Sequence, residues 1–280
     1  MDAKKHPDYR QEKNRLNHTI QDMNQTILSQ MGKKTKVDQT IKKTMMHFDS
    51  ADSEKYITMM INTMFQDRMG QRLKNLASSR KKPYFARIDF HEDRSAHTEK
   101  VYIGKTSLIR EKDHEVIIVD WRAPIANLYY EERLGKAKYH CPEGTVCGDL
   151  RLKRQFSVEN GELLDIQDID ITTNDAFLQS YLGANADNRL KDIVSTIQAE
   201  QNRVIRADMW NPLIVQGAAG SGKTTIALHR IAYLIYTYEK TIRPENFLIL
   251  APNKLFLNYI SEVLPELGAE NVRQATFPDL

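Results

Sequence analysis

Apolar residues recur every three or four positions along the first part of the chain. One series consists of Leu16, Ile20, Met23, Ile27, Met31, Val37, Ile41, Met45 and Phe48, and a second of Ile57, Met60, Met64, Leu73 and Leu76. Side chains three and four positions apart share one face of a helix, so each series predicts an apolar stripe along a long helix. The polar residues 49–54 between the two series predict a turn. We therefore assign residues 1–82 to an antiparallel helical hairpin that resembles a coiled-coil arm.

The predicted turn of this hairpin is acidic, because it contains Asp49, Asp52 and Glu54. Two interpretations fit the pattern. The hairpin either packs as an ordinary structural element or projects as an arm with a negatively charged tip. The neighbouring lysines, such as Lys33 and Lys42, are typical of a solvated helix face and favour neither interpretation.

The pattern changes to that of strands after the hairpin. Residues 85–90 alternate between apolar and polar, and residues 116–119 are a β-branched run. The pair Asn160-Gly161, between two further strand-like segments, is a strong signal for a two-residue β-hairpin turn. The sequence therefore predicts a small antiparallel β module over residues 83–171.

Three aromatic residues of this module have a candidate function, namely Trp121, Tyr129 and Tyr130. Exposed aromatic rings on a β surface can stack on nucleic-acid bases. Such rings more often fill the core of a small β module, and we favour that interpretation.

Strands and helices alternate in the remainder of the chain. The pattern predicts helices over residues 175–182, 188–207, 225–238 and 255–264, and buried strands over residues 212–216 and 247–250. This alternation is typical of a parallel sheet with right-handed crossover helices. We therefore expect an α/β fold in which residues 172–280 begin a parallel α/β domain.

Eight residues between the predicted strand 212–216 and the predicted helix 225–238 fit the phosphate-loop pattern G-x-x-x-x-G-K-[ST]. They are Gly217, Ala218, Ala219, Gly220, Ser221, Gly222, Lys223 and Thr224. Glycines let the backbone turn tightly, so that several N–H groups and the positive end of the following helix face one anion. In this pattern Lys223 binds the β- and γ-phosphates of a nucleotide, and the Thr224 hydroxyl holds Mg²⁺. The alternative is a chance match in a glycine-rich turn, and the strand–loop–helix context argues against it.

Composition sets limits and does not identify a function. The net charge of +3 neither demands nor excludes a nucleic-acid partner. No apolar run is long enough to cross a bilayer, and the first residues lack the apolar stretch of a signal peptide, so we expect a cytoplasmic protein without a membrane partner. Cys141 and Cys147, with His140 beside the first, lack further ligands at zinc spacing, and we interpret them as unpaired thiols.

The chain resembles the UvrD-like superfamily-one helicases in three places. The phosphate loop and residues 228–234 are similar to motif I of that family, residues 250–253 to motif Ia, and residues 197–201 to its Q motif. The resemblance implies a RecA-like motor domain of the P-loop NTPase type.

The same resemblance implies roles for individual residues. ATP and Mg²⁺ are the implied cofactors, and Gln201 matches the glutamine that reads adenine. Lys223 and Thr224 take the catalytic positions, and Thr225 continues the nucleotide site. This resemblance implies an ATP hydrolase of the DNA-helicase type.

Three further segments narrow the resemblance to the HelD, or helicase-IV-like, branch. They are Pro83-Tyr84-Phe85-Ala86-Arg87-Ile88-Asp89-Phe90, Tyr102-Ile103-Gly104 and Asp120-Trp121-Arg122-Ala123-Pro124. Their order, after a helical hairpin, resembles this branch along nearly the whole chain. The resemblance implies an ATPase that binds RNA polymerase through its N-terminal arm and aids its release from nucleic acid. The arm tip would then lie near Asp49, Asp52 and Glu54.

Two alternatives stay open at this point. One is part of a 3′–5′ DNA helicase that translocates on single-stranded DNA, and the other is a polymerase-binding module that does not hydrolyse ATP. No Asp-Glu pair follows the phosphate loop at the Walker B distance, and the later helicase motifs are absent. We therefore expect an incomplete motor, the N-terminal part of a longer protein. As a monomer it would bind ATP–Mg²⁺ weakly and hydrolyse little of it alone.

Overall fold

The computed structural model of the chain describes residues 3–46, 53–169 and 193–280. Contacts divide the chain into two units. One consists of Met1–Phe85, Thr106–Ile118 and Phe156–Ile166, and the other of Ala86–Lys105, Val119–Gln155 and Gln167–Leu280. The elements are helices and strands together, so the fold is α/β, with an N-terminal helical hairpin and a mixed sheet.

The N-terminal residues form the predicted hairpin of two long helices. α1 spans Tyr9–Met46 and α2 spans Ser53–Ser79. Their buried apolar residues are Leu16, Met23 and Ile41 on α1 and Met69 and Leu76 on α2. Four of these five belong to the apolar series that predicted the helices, so the interface between the helices largely follows the sequence pattern.

The predicted stripe on α2 is wrong in the half of the helix nearest its N-terminus. Ile57, Met60 and Met64 are 56, 57 and 44% exposed. Gln66 is less exposed than these residues, and its amide donates to Oδ1 of Asp38 on α1 at 2.7 Å. Because a polar pair occupies this part of the hairpin, the apolar side chains beside it face solvent.

A turn holds α1 from outside the hairpin. It follows β3 (Leu108–Ile109), and its Arg110 donates two hydrogen bonds to the carboxylate of Asp22, at 3.2 and 3.0 Å. The next residue, Glu111, pairs with Lys33 at 2.9 Å. The hydrogen bond from Lys33 lowers the pKa of the Glu111 carboxyl. Exposed ion pairs add little stability, so their effect is mainly to fix which face of α1 meets the turn.

Within the described residues, seven strands form the large sheet. They are β1 Ala86–Glu92, β2 Glu99–Gly104, β3, β4 Val116–Asp120, β5 Gly135–Cys141, β6 Gly144–Glu159 and β7 Glu162–Asp168. Their order is β3-β4-β2-β1-β6-β5, and β7 also pairs with β6. A short helix, α3 (Asn127–Glu131), lies between β4 and β5 in sequence.

The prediction of a purely antiparallel module is wrong at one pair of strands. β2 and β4 are parallel, with Ile103 opposite Val119 and Gly104 opposite Asp120. β4 pairs antiparallel with β3 along its other edge. The chain reverses between β2 and β3 and again between β3 and β4, so β4 runs in the same direction as β2.

The predicted hairpin at Asn160-Gly161 is confirmed. The φ angles are 49° at Asn160 and 80° at Gly161, so both central residues of the turn between β6 and β7 are left-handed. The core interpretation of Trp121, Tyr129 and Tyr130 is also confirmed, because all three side chains are buried.

The elements after the large sheet alternate as predicted only beyond the phosphate loop. They are α4 Ala199–Arg206, α5 Lys223–Thr237, β8 Leu248–Ala251, α6 Lys254–Glu266 and β9 Arg273–Thr276. β8 and β9 pair in parallel, and α6 connects them. Apolar residues of α5 and α6 share one cluster, which includes Leu228, Ala232, Ile260 and Leu264. Among the helices described, none is long and apolar enough to cross a membrane.

The predicted strand at residues 212–216 is not formed. Ile214, in the middle of the segment, is 93% exposed. None of the described strands pairs with it, and β8 and β9 pair only with each other. An extended segment without a hydrogen-bonding neighbour does not meet the definition of a strand.

The helix predicted over residues 188–207 begins later than expected. α4 starts at Ala199, because Gln198 is extended (φ −78°, ψ 160°) and caps it. Part of the predicted span, residues 188–192, lies outside the described residues, and so does the predicted helix at residues 175–182.

Candidate functional site

The phosphate loop leads directly into α5. Gly220 and Gly222 have φ angles of 79° and 82°, a conformation that residues with a side chain rarely adopt. Gly222 is the N-cap of α5, and no side chain caps this helix. The first backbone N–H groups of a helix have no intrahelical acceptor, so this end of α5 can bind an anion.

Lys223 lies folded over the loop. Its Nζ donates to the carbonyl oxygens of Gly217 and Ala218, at 2.9 and 2.7 Å. The loop is further closed by a hydrogen bond from the Ser221 amide to the Ala218 carbonyl at 3.3 Å. A Cβ atom at Gly217 would lie 2.7 Å from Oγ of Ser221, so a larger residue there would displace the serine side chain. The ammonium group is therefore held at the mouth of a tight, exposed loop.

Thr224 and Thr225 occupy the first turn of α5. Both are half-buried, whereas Ala219 and the other residues of the loop before Gly222 are exposed. A threonine hydroxyl is a hard oxygen ligand of the kind that Mg²⁺ prefers. Within the described residues, no three His, Cys, Asp or Glu side chains come together as a metal site.

Gln201 lies beside the phosphate loop. It is in the first turn of α4, and its Oε1 accepts a hydrogen bond from the backbone amide of Gln198 at 3.1 Å. Its Nε2 lies 3.6 Å from the position that a Cβ atom on Gly222 would occupy. The structure therefore brings Gln201, Lys223 and the start of α5 together, although residues 202–216 separate the glutamine from the loop in sequence.

Sequence reasoning missed the residue that joins α4 and α5. Arg230, on α5, donates to the carbonyl oxygens at the end of α4, those of Val204, Ile205 and Ala207, at 3.0, 3.2 and 2.6 Å. These carbonyls lack intrahelical donors, and a guanidinium group can serve several of them at once. Burial lowers the pKa of Arg230. An arginine on an exposed helix face has the same sequence pattern, so nothing in the sequence marked this role.

His229 was missed for the same reason. Its Nδ1 lies 2.8 Å from the carbonyl oxygen of Thr225, to which it donates in the neutral ring. The side chain is 2% exposed, and burial lowers its pKa to about 4. The imidazole is therefore neutral at physiological pH, and it holds the first turn of α5.

Two further groups of residues were singled out from the sequence. Asp49 and Asp52 lie outside the described residues, and only the backbone of Glu54 is described. Cys141 and Cys147 are free thiols. His140 contacts Oγ1 of Thr145 through Nδ1 at 2.8 Å.

Two family models match the chain, one in its N-terminal part and one in its C-terminal part. The one described as UvrD/REP helicase N-terminal domain matches residues 197–254, which contain Gln201, the phosphate loop and α5. The one described as DNA helicase IV HelD, N-terminal domain, matches residues 9–180, more than half of the chain. The chain belongs to the HelD family. No curated protein shows significant similarity to it. The HelD match covers the helical hairpin and the large sheet, and the UvrD/REP match covers the candidate site.

Proposed function

We propose that this HelD-family chain binds ATP with Mg²⁺ at residues 217–225, as the nucleotide-binding part of a helicase-like ATPase with a RecA-like P-loop fold. The observation that carries the proposal is the convergence of Gln201 and Lys223 at the start of α5, which no side chain caps. A polyphosphate needs N–H donors and a cation at one point, and a base needs an amide beside it. The site offers all three.

Each group then has a role. The backbone N–H groups of Gly220 and Gly222 and those of the first turn of α5 would surround the phosphates. On ATP binding, Lys223 would exchange its carbonyl partners for the β- and γ-phosphates, and the Thr224 hydroxyl would hold the metal. Mg²⁺ bound there would neutralise phosphate charge. Gln201 turns its amide from the Gln198 backbone to the adenine edge.

Hydrolysis by this chain is expected to be slow. Phosphoryl transfer needs the metal held on a second side, usually by an acidic residue after a later strand. The sequence after Thr224 contains no Asp-Glu pair. We propose that the chain binds ATP and hydrolyses little of it. We also propose that it is organised in three domains, residues 1–82, 83–171 and 172–280.

Thermal melting tests the site. A ligand that binds only the folded state raises Tm. ATP should raise the Tm of the wild type, Mg²⁺ should enlarge this shift, and Thr224→Ala should remove the Mg²⁺ effect while Thr241→Ala retains it. If Mg²⁺ does not change the Tm increase that ATP causes in the wild type, the role of Thr224 is contradicted.

We further propose that the arm binds RNA polymerase and that the protein aids polymerase release. The support is an exposed apolar face on α2, made of Tyr56, Ile57, Met60, Ile61, Met64 and Phe65. Contiguous exposed apolar residues mark protein-binding surfaces. In sequence this face directly follows the predicted acidic tip, so both features would contact the same partner.

Translocation on single-stranded DNA is the second candidate, and the name of the matching DNA helicase family favours it. Such activity needs aromatic rings that stack on bases within a basic groove. The side chains of Trp121, Tyr129 and Tyr130 are buried, so they are not available to stack on bases. A strongly salt-dependent gel shift with single-stranded DNA would favour this candidate.

A further inference from the structure

Residues 120–123, at the end of β4, form a rigid turn. The Asp120 carboxylate accepts hydrogen bonds from the Arg122 backbone amide at 2.9 Å and from its guanidinium at 2.8 and 2.7 Å. The side chain of Trp121 is 2% exposed. The backbone carbonyls of this turn are therefore fixed in direction and accept hydrogen bonds from elsewhere.

Arg206, the last residue of α4, supplies the donors. Its Nη2 donates to the carbonyl oxygen of Trp121 at 2.7 Å, and its Nη1 donates to that of Arg122 at 3.2 Å. Both guanidinium ends also contact the carbonyl oxygen of Ala123, at 3.4 and 3.5 Å. A planar fork with several donors is a directional contact that apolar packing does not provide.

A second polar contact fixes α4 in the same place. Asn202 is fully buried, and its Nδ2 lies 2.7 Å from both Oδ1 of Asn127 and Oε1 of Glu131. Its Oδ1 accepts from Nε of Arg206 at 3.0 Å. Asn202 directly follows Gln201, so these contacts set the position of the glutamine.

The same turn also contacts α5. The ring of His229 meets that of Trp121 edge to face, with centroids 5.7 Å apart. The Arg122 guanidinium lies 4.7 Å from the centroid of the Tyr236 ring. His229 in turn donates to Thr225 in the first turn of α5. One turn of the β module therefore contacts both helices of the candidate site.

We propose that residues 120–123 are a positioning element for the nucleotide site and that Arg206 is its positioning residue. Arg206 holds α4 so that Gln201 lies at the edge of the phosphate loop, where an adenine base is recognised. The proposal rests on the proposed ATP site. Ordinary core packing is the competing explanation, and it predicts a loss of stability without a change in base preference.

The test compares ATP with GTP. Wild type, Arg206→Ala, Arg206→Lys and Arg203→Ala are titrated with each nucleotide in the presence of Mg²⁺. Arg203 is exposed on the same helix, so Arg203→Ala is the matched control. We expect the ATP to GTP affinity ratio to fall about three- to tenfold in Arg206→Ala, with GTP affinity retained, because one or two hydrogen bonds to the base are misplaced. Arg206→Lys should lose less, and Arg203→Ala nothing.

An unchanged ratio in a folded Arg206→Ala protein overturns the positioning role, and so does equal affinity of the wild type for ATP and GTP. If the wild type binds neither nucleotide, the proposed function itself fails. Hydrogen exchange of the wild type covers the case in which Arg206→Ala does not fold. Saturating ATP should slow exchange at the amides of Trp121, Ala123 and Ala126, and exchange unaffected by ATP there overturns the proposal.

Discussion

The imidazole of His229 packs edge to face against the indole of Trp121, with ring centroids 5.7 Å apart and both side chains 2% exposed. A charged imidazolium in this place would lose its hydration without gaining a carboxylate partner among the contacts described. This is why burial lowers the pKa of His229 to about 4. The buried imidazole of His229 consequently makes the stability of the fold depend on pH.

Below its ordinary pKa of 6.5, the unfolded chain binds a proton at His229, while the folded chain binds it only near pH 4. The free energy of unfolding should therefore fall as pH falls from 6.5 to about 4, by about 3 kcal/mol from this residue. Urea denaturation of wild type and His229→Gln across this range measures the difference. A variant whose stability falls as steeply as that of the wild type would show that His229 does not titrate in this way.

Trp121→Ala should destabilise the fold by about 3–5 kcal/mol, because it leaves a large cavity between the turn at residues 120–123 and α5. Trp121→Phe keeps an aromatic edge and should cost less. Trp210→Ala is the matched control, since Trp210 is 75% exposed and its loss should stay within about 0.5 kcal/mol. Urea denaturation followed by circular dichroism measures all three. Equal effects at Trp121 and Trp210 would argue against the buried contact.

Gly148→Ala should destabilise the sheet by about 2 kcal/mol. A Cβ atom there would overlap the carbonyl oxygen of His91 and lie 2.7 Å from Cζ of Phe90. Gly32→Ala is the opposite case, because nothing lies within 4 Å of the added atom on α1. That change should stabilise by about 0.5–1 kcal/mol. Thermal melting of both variants checks the two signs, and a tolerated alanine at residue 148 would contradict the strand pairing between β1 and β6.

Replacement of Ile61 or Phe65 by glutamate should reduce retention of core RNA polymerase by about tenfold or more, because a charge then interrupts the exposed apolar face of α2. Folding should be unaffected, since both side chains are exposed. Leu255→Glu, on α6, makes the same change at an 81% exposed leucine outside the arm. Co-purification with core polymerase compares the three variants. Retention that all three share with the wild type would exclude this face as the binding surface.

Local signals in the sequence predicted local structure well. Asn160-Gly161 predicted its turn because positive φ angles at both positions admit few other residues. The glycines of the phosphate loop predicted the bend before α5 for the same reason. The two long helices could be predicted because the spacing of apolar residues along a helix does not depend on which element packs against it.

The errors arose where a contact with another element decides the outcome. The stripe on α2 failed because the polar pair of Gln66 and Asp38 lies where apolar residues were expected. The parallel pair β2 and β4 depends on β4 lying between β3 and β2, which no local pattern records. Arg206 and Arg230 bind backbone carbonyls of distant segments, and such contacts have no periodicity in the sequence.

In the proposed function, the phosphate loop binds the polyphosphate of ATP through Lys223. Calorimetric titration with ATP and Mg²⁺ tests it most directly, on wild type, Lys223→Ala and the matched control Lys240→Ala, whose lysine is exposed after α5. We predict saturable binding by wild type and by Lys240→Ala, and binding about tenfold or more weaker in Lys223→Ala, which loses a charge-assisted contact to phosphate. Equal affinity of Lys223→Ala and wild type, or no binding by the wild type, would contradict the account.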